Sequence, residues 1–225
     1  MNKDEIIKKL ISLGKKENVN GMARYGITAE KVYGVSTPEM QKIAKEIGKN
    51  QEFSLELWKE NIYETRIIAG MTGDPDLVTE QQMESWVNDF DSWAVCDSVI
   101  MNLFEKTSYA WDKAVEWQQR EKEFVKRAGF VMMARLAVSD KKAPDERFYD
   151  FFKYIIKEST DERNMVKKAV NWALRQIGKR NQNLNEKAIA TAEKIYKINS
   201  KSTRWIASDA LRELKSEPVQ KRLKK

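Results

Sequence analysis

Four stretches of this chain look alike when stacked: YETRIIAGMTG, WAVCDSVIMNLF, FVKRAGFVMMARLA and MVKKAVNWALRQIG. Each carries a polar residue, in turn Arg66, Asp97, Arg127 and Lys168, followed by an apolar stretch, and the spacings between those residues are 31, 30 and 41. A repeat of this size constrains the fold strongly, because a unit that cannot bury its apolar face alone must stack on its neighbours.

Periodic helical segments follow one another with short breaks, and no run of alternating apolar and polar residues reads as a strand. Helix starts are legible at Ser36-Thr37-Pro38-Glu39, at Thr79 before EQQMESW, and at Ala143-Pro144-Asp145 before ERFYDFFKYIIK, while Asp74-Pro75 breaks the chain. The pattern predicts helices near 3–14, 37–48, 53–60, 63–73, 79–90, 92–105, 108–118, 121–138, 145–158, 161–179, 184–198 and 202–215. With one helix between each pair of similar segments, the expected fold is all-α: an α-α superhelix, or solenoid, of HEAT-like helix-pair repeats in one domain over residues 1–225. Arg66, Asp97, Arg127 and Lys168 then hold equivalent places on successive inner helices and line one concave face.

Composition narrows the chemistry. A charged fraction of 33% and a hydrophobic fraction of 41% describe a soluble folded chain. No apolar run approaches the roughly 18 residues a membrane span needs, and MNKDEIIKKL lacks a signal peptide's apolar stretch, so the expectation is a cytoplasmic protein with no membrane partner. Cys96 is the single cysteine and there is no histidine. An internal disulfide, the usual zinc and iron ligand sets, and every histidine-based triad are therefore out, and neither a metal nor a cofactor is expected. The net charge of +7 biases the protein toward polyanions, nucleic acid or an anionic membrane surface.

Helix geometry sharpens this over 161–179. Met165, Val166, Ala169, Val170, Ala173, Leu174 and Ile177 share one broad face, and Lys168, Trp172, Arg175 and Lys179 share the opposite one. Trp172 there either packs on a neighbouring repeat or forms an aromatic platform in a cationic nucleic-acid groove. Arg127 sits in a segment apolar almost all round, where its guanidinium needs a carboxylate, backbone carbonyls or an external phosphate. Trp93 and Asp97 are one turn apart, an indole wall beside a carboxylate with Met101 and Phe104 on the same side, so Asp97 is either capped and inert or aimed at a positive charge. Trp86, Trp111 and Trp117 carry no motif and read as packing residues.

The segments MARYGI, YGVSTPEMQKIAKEI, SWAVCDSV, FVKRAGFVMMARL and KKAVNWALRQIGK resemble, over nearly the whole chain, the DNA alkylation repair family of HEAT-like-repeat DNA glycosylases, the AlkD type. In that family a Trp and an Asp four residues apart, an Arg on the following repeat and a Trp on a later helix form the active cleft. The resemblance carries these roles to Trp93, Asp97, Arg127 and Trp172. Asp97, Trp93 and Trp172 are the implied catalytic residues, and Arg127, Lys168, Arg175, Lys179, Tyr25 and Arg66 the implied DNA-binding ones. Better-known members place a second acidic residue directly after the first tryptophan, whereas Ala94-Val95-Cys96 follows Trp93 here, which lowers the local negative charge. The implied activity is hydrolysis of the N-glycosidic bond of cationic N3- or N7-alkylated purines in duplex DNA, by a monomer. Such a purine is already a good leaving group, which suits a chain without histidine or metal ligands. Two other readings stay open: a non-catalytic binder of damaged or branched DNA on the same fold, and a protein-binding helical scaffold.

Overall fold

The computed structural model describes residues 2–27 and 29–224. Among them no strand occurs, and the all-α expectation is met by fourteen α-helices and two 3-10 turns. The chain packs as two compact units, Met1–Tyr109 and Ala110–Lys225.

The first unit contains α1 (Lys3–Leu13), α2 (Lys16–Arg24), α3 (Thr37–Ile47), α4 (Gln51–Lys59), α5 (Tyr63–Thr72), α6 (Glu80–Asn88) and α7 (Trp93–Asn102). Its centre is α5, which packs against α3, α4 and α7 and buries nine of its ten residues. One of those is Glu64, a carboxylate with no exposed surface. It accepts backbone N–H bonds from Tyr33 (3.1 Å), Gly34 (2.7 Å) and Val35 (3.1 Å), which satisfies the buried charge and ties the preceding loop to the core. Gly34 is required in that loop: its φ is +79°, and an added Cβ would lie 2.4 Å from the Lys15 carbonyl oxygen. Trp86 is a packing residue, stacked on Trp58 with ring centroids 4.0 Å apart and planes 5° from parallel.

The second unit contains α8 (Ala110–Trp117), α9 (Glu123–Ser139), α10 (Glu146–Glu158), α11 (Asn164–Gly178), α12 (Gln182–Lys197), α13 (Lys201–Leu214) and α14 (Glu217–Leu223). Its core helix is α9, buried at twelve of seventeen positions and packed along α11 and α8. Gly129 makes the α8 contact possible, since a Cβ there would lie 2.4 Å from the Gln118 backbone nitrogen. Trp117 is fully buried, and Trp111 stacks against Phe151 at 5.4 Å.

The four similar segments are α5, α7, α9 and α11, and within each unit they pack directly, α5 on α7 and α9 on α11. That is what stacked helix pairs require. Two helices escaped the periodicity. The α2 sequence KENVNGMAR holds two asparagines and a glycine, all poor helix formers, and buries no residue, so it shows no apolar stripe. The seven-residue α14 buries only Val219.

Candidate nucleic-acid interface

In the first unit, Trp93 opens α7 behind Ser92, whose hydroxyl caps the helix by accepting from the Val95 N–H at 3.4 Å. The half-buried indole donates from Nε1 to the Tyr25 carbonyl oxygen at 2.8 Å, across 68 residues of sequence. Tyr25 caps α2 at its C-terminal end and its side chain is 72% exposed. The sequence thus pointed to two residues that the fold brings into contact, though through the tyrosine's backbone. Beside them lies a cavity of about 820 Å³, lined by Met22, Met40, Tyr63, Trp93 and Met101 among others. Burial, reinforced by the nearby carboxylates Glu64 and Asp91, pushes the Tyr63 phenol up to about 12, so it remains a neutral hydrogen-bond donor at any ordinary pH.

Asp97 lies one turn beyond Trp93 and is half-buried. Ala94 and Ser98, not Asp97, continue the cavity wall from Trp93. Asp97 is partnered within the folded protein. Met101 stands on the cavity side as expected, but Phe104 does not: α7 ends at Asn102, the chain turns into a 3-10 turn over Phe104–Lys106, and Phe104 is carried into the core 5.9 Å from Trp86.

Arg66 also departs from the expectation of a cation on an open face. It is 8% exposed, donates from Nη1 to the Asp89 carbonyl at 3.0 Å and to Asp91 Oδ2 at 3.2 Å, and lies over the Trp58 ring at 5.0 Å. Its work is to hold the loop that leads into α7. Arg127 does the same in the second unit: it is 6% exposed and donates from Nη1 to the Met165 carbonyl at 2.7 Å, in the first turn of α11. Of the three answers open for its guanidinium, backbone carbonyls are therefore at least one. The repeat position is reused, and in both cases an inner-helix arginine reaches forward to the start of the next inner helix. Asp97 and Lys168, at the corresponding positions, are half-buried and exposed respectively, so the four residues do not share one environment.

On α11 the two-faced reading holds. Val166, Ala169, Val170, Ala173, Leu174 and Ile177 are buried, Lys168 is exposed, and Trp172 is half-buried on the polar side. The cationic row is different from expectation. Arg175 and Lys179 both form ion pairs with Glu213, and Arg175 Nε lies 3.6 Å from Asp209 Oδ2. Burial disfavours the charged form of Glu213, but hydrogen bonds from Lys179 and Arg175 outweigh it and hold its carboxyl below the usual range. A signal for this was present in the sequence: Arg175 and Lys179 are four apart, as are Asp209 and Glu213, which is the register for two helices to pair charges. Trp205 on α13, 41% exposed with the Lys167 ammonium 5.2 Å from its ring centroid, is an aromatic surface that no motif marked.

A family model described as DNA alkylation repair enzyme matches residues 6–214. Among solved structures, one described as "a new family of proteins related to the HEAT-like repeat DNA glycosylases with affinity for branched DNA structures" is similar at a TM-score of 0.80 and 23% identity, covering 99% of this chain and 96% of its own. A designed armadillo repeat protein is similar at a TM-score of 0.38 and 16% identity, covering 78% of this chain and 91% of its own. No curated protein sequence matches significantly. The solved structure with the TM-score of 0.80 establishes the HEAT-like helical-repeat fold. Because the family match runs from Ile6 to Leu214, through both compact units, the chain belongs to the DNA alkylation repair enzyme family.

Proposed function

We propose that the protein is a metal-independent DNA glycosylase that binds duplex DNA and hydrolyses the N-glycosidic bond of purines alkylated at N3 or N7. The observation that carries this is the start of α7, where Trp93 is locked at its indole edge by the Tyr25 carbonyl with Asp97 one turn away. An edge-anchored indole keeps its electron-rich face available to a developing cation. As the bond between C1′ and the purine nitrogen breaks, its electron pair leaves with the cationic base, which departs neutral, and positive charge grows on the deoxyribose. Asp97 stabilises that charge and orients the water that adds to C1′. A charge pair at about 4 Å with an effective dielectric near 20 is worth roughly 4 kcal/mol, or about a thousandfold in rate. Trp172 and exposed Lys168 form the contact surface on α11, while Arg127 acts from beneath by fixing the start of that helix.

The test is single-turnover release of N7-methylguanine by wild type and Asp97→Asn at saturating enzyme, with thermal melts alongside. Release should fall by about a thousandfold with DNA affinity retained. Equal rates from equally stable proteins would defeat the assignment of Asp97.

A second reading, binding of branched or damaged DNA without excision, is favoured by Ala94, which stands where an acidic residue follows the first tryptophan in better-known members. The solved structure described as having affinity for branched DNA supports the same alternative. Tight binding to a four-way junction with no base release by wild type would select it.

A further inference from the structure

The second unit holds a cavity of about 530 Å³ where the C-terminal ends of α9, α11 and α14 approach one another. Every charged residue in its lining is a cation: Lys141, Lys179, Arg180 and Arg222. Lys179 is matched by Glu213. Among the described residues, Lys141, Arg180 and Arg222 have no carboxylate within ion-pair distance.

The two guanidiniums are held in place by groups that leave their charge intact. Arg180 donates from Nη1 to the Ala137 carbonyl at 3.2 Å and from Nη2 to the Ala143 carbonyl at 2.7 Å, and lies 4.7 Å from the Phe148 ring centroid. Arg222 donates from Nη2 to the Lys179 carbonyl at 3.1 Å. A guanidinium carries five N–H donors, so each keeps donors to spare after these bonds. Oriented arginines of like charge around a roomy concavity are the arrangement that recognises a phosphate bidentately.

We propose that this cavity binds a phosphate group, and that its source is a backbone phosphodiester of DNA. The inference rests on the DNA-binding reading above. Position supports that source: Lys179 follows Trp172 by seven residues, two turns along the same face of α11 and about 10 Å away. Strand phosphates rise about 3.4 Å per step along a duplex axis, so the cavity lies within roughly three nucleotides of whatever faces Trp172. No base contact is implied, and the site sets register rather than sequence preference.

Lys141→Gln, Arg222→Gln, the double variant and Arg222→Lys test this, since Lys141 and Arg222 are exposed and their replacement leaves the core intact. Duplex affinity is measured by fluorescence anisotropy from low to moderate salt, with thermal melts as a control for folding. Each neutral variant should reduce the slope of log affinity against log salt by about 0.9, and the double variant should bind roughly fiftyfold more weakly near 0.1 M salt, with Arg222→Lys close to wild type. If wild type binds duplex and the neutral variants keep its slope, the phosphate site is overturned while DNA binding stands. If wild type does not bind duplex, the DNA reading fails and the backbone assignment with it. In a separate arm, inorganic phosphate is titrated while the arginine Nε–H resonances are followed by NMR. Shifts there without any duplex binding overturn the backbone source and make the cavity a small-anion site.

Discussion

Replacing Glu213 by glutamine should strengthen DNA binding, because in the folded protein this one carboxylate neutralises both Arg175 and Lys179. The three side chains are 28%, 27% and 16% exposed in that order, so they sit at the boundary between solvent and interior. Such pairs are worth about 1 kcal/mol each at most, and their loss should lower the melting temperature by roughly 4–8 °C. Against that, two cations are released on the polar face of α11 that also carries Lys168 and Trp172. Each cation that then meets a phosphate steepens the salt dependence by about 0.9, equivalent to nearly tenfold in affinity at 0.1 M salt relative to 1 M. Anisotropy titrations of wild type and Glu213→Gln over several salt concentrations, with melts of both, read these two effects separately. A lowered melting temperature with unchanged affinity and slope would show that Arg175 and Lys179 are structural cations and do not face DNA.

Three further outcomes are expected. The Trp172→Ala variant should lose about 1–3 kcal/mol of DNA affinity and destabilise the fold by less than the roughly 3–5 kcal/mol of a core tryptophan, because the ring is half-buried; equal affinity in a titration would remove its platform role. Glu64→Gln removes the charge that receives three backbone N–H bonds and should cost about 2–4 kcal/mol in a denaturant melt, with faster proteolysis near residues 33–35 as the local signature. Glu213 has a carboxyl held below its ordinary value of 4.5, so its ion pairs contribute stability in full above about pH 4.5 and lose it as pH falls through the lowered folded value. Below pH 4.5 the wild type should therefore lose melting temperature more steeply than Glu213→Gln, and parallel profiles would refute the pairing.

Much of the fold was legible because helical burial is periodic. Twelve of the helices announced themselves by an apolar stripe and a cap, and α5, α7, α9 and α11 by their mutual likeness. The pairing of Trp93 with Asp97 and the polar face of Trp172 were legible for the same reason, since positions four or seven apart on one helix share a side whatever surrounds them. Even α2 and α14 were invisible on that principle: with almost nothing to bury, they carry no stripe.

What each charged side chain meets is a different kind of question, because its partner stands on another element many residues away. Sequence spacing made Arg66, Arg127, Arg175 and Lys179 equal candidates for phosphate contact. Only the tertiary structure sends Arg66 to Asp89 and Asp91, Arg127 to the Met165 carbonyl, and Arg175 and Lys179 to Glu213. It alone gathers Lys141, Arg180 and Arg222, from three separate segments, around one cavity. Local periodicity determines which face of a helix a residue occupies, because that depends only on backbone geometry; the charge balance of a surface depends on Coulomb interactions across a few ångströms between segments 20 to 80 residues apart, which no local pattern encodes.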